Sequence, residues 1–317
     1  MGEPPTGRPH PSGEEGGKTR VDGYDQEQMP RSIPQHVSEL KVPNLNYDYF
    51  LDHRSRPFSP IDGRFCPLTA WWLMECALLS YIGDQRSVGR HLTNAGFESV
   101  TFCEANKLRA IIADKGADTF VIFRGTLFNE LANVLTDLAM KRHRWSGGGR
   151  VHTGFHEGFL ALLPHVKTSI DNRRGQRIWF SGHSLGGALA TLFAAHFPGP
   201  TPLYTFGSPR VGDADFRTAF VGQTHRVVLG RDIIATLPPK PLYRHLTPSH
   251  RLNAEGRITA SNHDKHRTAK DLISGVREVA RHPRDVARYL LTNNVIADHA
   301  PILYSVGLWH AVEQMQS

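Results

Sequence analysis

Gly182-His183-Ser184-Leu185-Gly186 places a serine midway between two glycines, directly after the β-prone run Arg177-Ile178-Trp179-Phe180. This is the G-x-S-x-G pattern, in which a sharp strand-to-helix turn holds a serine hydroxyl clear of a sheet edge. Glycine is needed on either side because strand and helix pass too closely there for a Cβ. Leu185, Ala188, Leu189, Leu192 and Phe193 then recur at helical spacing, with alanines between them that let the helix sit close on a sheet. A helix leaving from the serine points its first backbone N–H groups, that of Leu185 foremost, at the space beside Ser184, a place suited to negative charge. A lone serine hydroxyl is a poor nucleophile, so the rest of the chain has to supply a base and an acid that orients it.

The elements that would position such groups alternate along the chain. Pro67 to Tyr81 is an almost continuously apolar helix opened by proline, and Ile82 to Gly96 reads as a second helix stopped by glycine. Three short strands follow at Ser99 to Glu104, Leu108 to Ala113 and Asp118 to Arg124. The third is apolar without alternation, as expected of a strand covered on both faces. Leu127 to Ala139 has an apolar side formed by Leu127, Leu131, Val134, Leu135 and Leu138, and it leads into Lys141 to Arg150, whose three consecutive glycines should break regular structure. Helix Phe155 to Asn172, the Ser184 elbow, strand Leu203 to Phe206, helix Ala214 to Ala219 and strand His225 to Leu229 come next. Such alternation argues for a mainly parallel sheet with helices on both faces.

Composition sets outer limits. The 317 residues are 39% hydrophobic, enough for a substantial core, and the net charge is +7, which favours acidic partners such as anionic lipid surfaces. No nucleic-acid-binding module is recognisable. Cys66, Cys76 and Cys103 are odd in number and lack metal-ligand spacing, so they read as buried thiols in a reducing compartment. No signal peptide or membrane-spanning run is evident, and a cytoplasmic location is expected. Residues 1–42 are rich in Pro, Gly, Glu and Arg and read as a disordered tail ahead of one domain over residues 43–317.

Several further motifs occur in order: Phe123-Arg124-Gly125-Thr126, Val151-His152-Thr153-Gly154-Phe155, the elbow with Gly187, Phe206-Gly207-Ser208-Pro209-Arg210-Val211-Gly212, and Asp232-Ile233-Ile234 with Leu237-Pro238-Pro239. In these the sequence resembles the class 3 lipases, the α/β-hydrolase family that includes the filamentous-fungal triacylglycerol lipases. The resemblance covers about residues 65 to 310. It implies an α/β-hydrolase fold and hydrolysis of carboxylic esters of lipids through an acyl-enzyme on Ser184, without cofactor or metal. Phospholipase and short-chain or feruloyl-type esterase activities stay open, as does a non-catalytic scaffold.

In this fold the partners follow in the order Ser, Asp, His. Asp232 comes directly after the strand His225 to Leu229 and falls on the family's acid position, with Asp213 as the alternative. His245, His250, His263, His266, His282, His299 and His310 all follow it. His299, in Asp298-His299-Ala300-Pro301 just before the last helix, resembles the family's histidine loop. His245 resembles a structural position that starts the next strand, and His310 reads as a solvated residue of the last helix. By the same resemblance the oxyanion donors are the backbone N–H groups of Leu185 and Thr126, and Leu127 to Leu138 matches the family's lid. Ala235 departs from the family's common proline, which questions the rigidity of the acid loop. Lys265 to Leu291 looks like a basic, partly amphipathic insertion, a second candidate for contact with an anionic lipid surface.

Overall fold

The computed structural model describes residues 1–2, 32–34, 37–127, 141–173, 176–197, 202–261 and 297–315. The lid candidate beyond Leu127, the basic insertion and most of the expected tail lie outside the described residues. Chain packing starts before Pro43, however: Val37–Leu40 form a 3-10 turn, and Ile33, Leu40 and Val42 pack against the core.

Three strands, β1 (Ser99–Ala105), β2 (Leu108–Lys115) and β3 (Asp118–Phe123), form an antiparallel meander at one side of an eight-stranded sheet. Beyond β3 the sheet turns parallel. A short hairpin outside the sheet, β4 (Arg142–Arg144) with β5 (Arg150–His152), intervenes in sequence. Next in the sheet come β6 (Arg177–His183), β7 (Leu203–Phe206), β8 (Thr224–Leu229) and β9 (Ser249–Leu252), closed by the antiparallel β10 (Ile258–Ser261). Helices α1 (Pro67–Leu79), α2 (Gln85–Asn94), α3 (Thr153–Asp171), α4 (Leu185–His196), α5 (Ala214–Ala219) and α6 (Pro301–Glu313) complete the elements used below. All fall within one unit, Arg31–Ser317.

The sheet is covered on both faces, which explains the unalternating strands. Phe120 and Ile122 of β3 enter the core shared with α1 and α6, while Val121 and Phe123 enter the core shared with α3 and α4. A side-chain period of two thus feeds two apolar layers instead of one layer and solvent. Helix α2 starts later than the sequence indicates because Asp84 caps it, accepting the N–H groups of Arg86 and Ser87.

The glycine-rich stretch does not break the chain. Gly148 and Gly149 adopt the positive φ values of 111° and 75° that a tight reversal needs, and Trp145 N–H donates to Gly149 O at 3.0 Å. The indole of Trp145 supplies the anchor, packing at 5.1 Å from Phe159 and 6.0 Å from Phe216 between ring centroids.

Helix α1 carries one charged residue into the core. Glu75 is fully buried; its carboxylate accepts Tyr47 O–H and Phe50 N–H at 2.6 Å each, and the Ser305 hydroxyl as well. The segment before α1 is thereby tied to α1 and α6 together. Glu75→Ala leaves Phe50 N–H without its acceptor and a void beside it, while the Tyr47 and Ser305 hydroxyls, 3.1 Å apart, keep each other, so a loss of about 2–4 kcal/mol is expected. Urea unfolding of the variant at constant m value measures it.

Candidate active site

Strand β6 ends at His183 and α4 begins at Leu185, so Ser184 alone makes the reversal. It does so at φ 59° and ψ −127°, a left-handed conformation that costs a β-carbon-bearing residue about 1–3 kcal/mol. The glycines permit it. A Cβ on Gly182 would strike the Gly186 backbone, one on Gly186 would strike the carbonyl of Phe123, and one on Gly187 would lie 2.7 Å from Ser208 Cβ. Ser184 N–H donates to Phe206 O at 2.9 Å, fixing the elbow to the carboxyl end of β7.

One residue further, Gly207 takes φ +56°, and the position of its missing Cβ lies 2.5 Å from Asp232 Oδ2 and 3.0 Å from His299 Nδ1. The chain that holds the serine backbone therefore also abuts the candidate acid and base. Asp232 reaches this point by a turn after β8, with its N–H donating to Leu229 O at 3.0 Å. Its carboxylate is fully engaged: Oδ1 accepts Ile234 N–H at 2.9 Å, and Oδ2 accepts His299 Nδ1–H at 2.8 Å and the Tyr304 hydroxyl at 2.6 Å. Both Asp232 and His299 are buried. With Nδ1 donating, the neutral imidazole presents its lone pair at Nε2. That atom is buried and makes no hydrogen bond, to Ser184 Oγ or to any other described atom. Asp232 and His299 are thus joined directly, and Ser184 is brought to the same sheet edge without a hydrogen bond to the ring. Catalytic hydrogen bonds are often long before substrate binds.

Residues 120–242 match the family described as Lipase (class 3). In this part the chain is similar to the class 3 lipases. A secreted mono- and diacylglycerol lipase of Fusarium solani is 39% identical over 117 residues, covering 33% of this chain and 35% of the relative. Another from Malassezia globosa is 30% identical over 162 residues, covering 47% and 53%. The chain therefore spans about a third to a half of the length of these relatives. The crystal structure of a lipase from Rhizopus microsporus var. chinensis superposes with a TM-score of 0.50 at 22% identity, covering 65% of this chain and 81% of that one. Together with the sheet order this makes the fold that of an α/β-hydrolase.

The remaining positions of the class 3 lipase pattern can be placed on this frame. Leu185 is the first residue of α4, where a backbone N–H has no intrahelical acceptor. Thr126 follows β3, and its hydroxyl is buried without a hydrogen-bond partner. Gly125 before it has no room for a Cβ because Tyr81 O–H and the His183 carbonyl stand against it. The acid loop is secured despite Ala235: Arg210 Nη1 donates to Thr236 O and, at 2.8 Å, to Pro238 O, and His245 Nε2 bonds Ala235 O at 2.6 Å. His245 is thus a loop brace, and the following strand begins only at Ser249. Asp213 caps α5 through Phe216 N–H and pairs with Arg142, away from the acid's position. His310 is not solvated as expected; its Nδ1 bonds Ala254 O at 2.8 Å.

Three residues make contacts that have no counterpart in the sequence pattern. Tyr304 was only a residue of the last helix, yet its hydroxyl meets the carboxylate of Asp232. His183 was the variable position of the pentapeptide, yet its ring lies 4.5 Å from that of His299 and its Nδ1 bonds Tyr81 O–H at 2.8 Å. Burial holds His183 well below the usual histidine range, so it stays neutral. Asp298 meets the backbone next to Asp232. A buried phenol at the start of an apolar helix is the one signal that could have marked Tyr304, since its O–H requires a partner.

Proposed function

We propose that this chain is a serine hydrolase that cleaves carboxylic ester bonds of lipids, acylglycerols foremost, through an acyl-enzyme on Ser184. The observation that carries the reading is the buried Asp232–His299 pair at the sheet edge where the elbow presents Ser184. In this reading Nε2 of His299 takes the serine proton as Oγ attacks the ester carbonyl, then gives it to the departing alcohol. Asp232 holds the ring in the required tautomer and stabilises the imidazolium that forms. Neutral His183 adds no second positive charge beside it. The N–H groups of Leu185 and Thr126 receive the oxyanion, with the Thr126 hydroxyl free to assist. Water then repeats the sequence on the acyl-enzyme.

Lipid as the substrate class rests on the named activities of the two relatives. Contact with an anionic lipid surface belongs to the same reading, supported by the net charge of +7 and by Lys141, Arg144 and Arg150, all exposed on or beside the hairpin. The test is a chain-length series of glycerol and p-nitrophenyl esters, run below and above substrate solubility, after an active-site titration with a fluorophosphonate. Stoichiometric labelling of Ser184 with turnover of mono- or diacylglycerols is expected. Absence of labelling in folded protein would remove the catalytic reading altogether.

A further inference from the structure

Asp298 precedes the candidate base, and its side chain turns away from the ring toward the other catalytic loop. Its Oδ2 accepts the backbone N–H of Arg231 at 2.6 Å, and Arg231 precedes Asp232. The contact has a built niche. Gly230 adopts φ +45°, and a Cβ there would lie 2.6 Å from Asp298 Oδ2 and 2.9 Å from its Cγ. Gly230 N–H is itself held by Leu252 O at 2.8 Å, so the receiving backbone is fixed to β9. On the other side, Asp298 and His299 share the single 3-10 turn Ala297–His299, closed by Ala300 N–H to Ala297 O at 2.9 Å. Among the described residues the backbone bonds of that turn stay within it and α6. His299 and Tyr304 tie this chain to the acid loop through the Asp232 side chain, and the Asp298 carboxylate adds a tie to that loop's backbone.

We propose that Asp298 is a positioning residue: a latch that sets the distance and angle between the His299 loop and the Asp232 loop. The proposal rests on the assignment of His299 and Asp232 as base and acid. Two side chains that must share one hydrogen bond are carried here by segments 67 residues apart in sequence. Each segment needs its own reference point, because a misplacement of about 1 Å in a catalytic group can cost 100-fold in rate. A bond between residues adjoining the pair on both chains supplies that reference with the shortest lever. A carboxylate is also the stronger acceptor for a backbone N–H than a neutral oxygen. Burial and the nearby Asp232 push Asp298 above the ordinary carboxylate range, while the Arg231 N–H and side chain act the other way. The contact made at Oδ2 is that of an acceptor, which an asparagine oxygen also supplies.

That distinction gives the experiment. Asp298→Ala removes the acceptor and Asp298→Asn keeps one. In the full chain, kcat and KM for a soluble ester, the rate of Ser184 phosphonylation by a fluorophosphonate, and the thermal midpoint are measured for both variants beside Ser184→Ala and His299→Ala. A latch predicts that Asp298→Ala lowers kcat and the phosphonylation rate together by about 10- to 100-fold with KM within about twofold, and that Asp298→Asn restores both to within about fivefold of the parent. Rates are expressed per labelled site, so a partly unfolded preparation does not enter them. Should Asp298→Ala not fold, Gly230→Ser, which pushes the carboxylate off Arg231 N–H from the opposite side, is expected to show the same kcat loss at unchanged KM. Wild-type kcat in Asp298→Ala, or an asparagine variant as slow as the alanine one, overturns the latch. If His299→Ala keeps its activity, the base assignment fails instead, which separates the two outcomes.

Discussion

Replacing Ser184 with alanine is expected to lower kcat for any ester substrate by about a million-fold while the protein stays folded. Alanine carries the same Cβ as serine, so the strain of φ 59° at the elbow is unchanged and only Oγ is lost. Ser184 N–H still donates to Phe206 O, and the glycine contacts that fix the turn are untouched. His299→Ala should match it closely, since the nucleophile is of no use without a group to take its proton. The measurement is kcat on a soluble ester with near-ultraviolet circular dichroism as the control for packing. A Ser184→Ala protein keeping more than about a hundredth of the parental rate would move the nucleophile elsewhere. His245→Ala serves as the contrast. Its imidazole braces Ala235 O, and burial together with Arg226 and Arg210 keeps it neutral, so its removal should lower stability more than it lowers kcat per folded molecule.

The parts of this fold that were legible in the sequence are those in which one residue pattern has one physical outcome. An unalternating apolar run such as Phe120–Phe123 has to be covered on both faces, and it is. Gly182 and Gly186 have to be glycine wherever a strand and a helix meet at a single residue. Asp232 was legible because a carboxylate one turn after a parallel strand arrives at the carboxyl edge, where the serine also sits. The choice among seven histidines needed the family's motif order, since spacing alone does not say which loop returns to that edge. The hairpin at Trp145 was not legible. Three glycines report freedom, and the order comes from an indole buried against Phe159 and Phe216, contacts distant in sequence. Tyr304 and Asp298 were missed for the same reason: each meets the acid loop across more than sixty residues, and neither contact leaves a local pattern.

The tightest constraint at the site is on Asp232, and Asp232→Asn is expected to cost about ten-thousand-fold in kcat with little change in KM. All three groups facing the carboxylate are donors: Ile234 N–H at Oδ1, and His299 Nδ1–H and Tyr304 O–H at Oδ2. An amide offers one oxygen and one NH2, so one of its two sides must meet a donor with a donor. If the NH2 takes the Oδ1 side, it confronts a backbone N–H that cannot turn away, and a buried donor on each group is left unsatisfied, at about 1–3 kcal/mol. If it takes the Oδ2 side, Tyr304 can rotate its hydroxyl to accept, but His299 must also become an acceptor at Nδ1. The second arrangement satisfies more bonds, and it moves the imidazole proton to Nε2. There the ring can no longer take the proton of Ser184. The protein should therefore remain folded with the wrong tautomer, which is why the loss appears in kcat. Added Tyr304→Phe separates this cause from general disruption, because it removes the donor that must rotate but restores no lone pair at Nε2. The double variant should stay as slow as Asp232→Asn. A ring-nitrogen NMR spectrum showing Nε2 protonated in Asp232→Asn and Nδ1 protonated in the parent would establish the tautomer change. An Asp232→Asn protein slowed less than about tenfold, with Nδ1 still protonated, would mean that Asp232 does not orient the base.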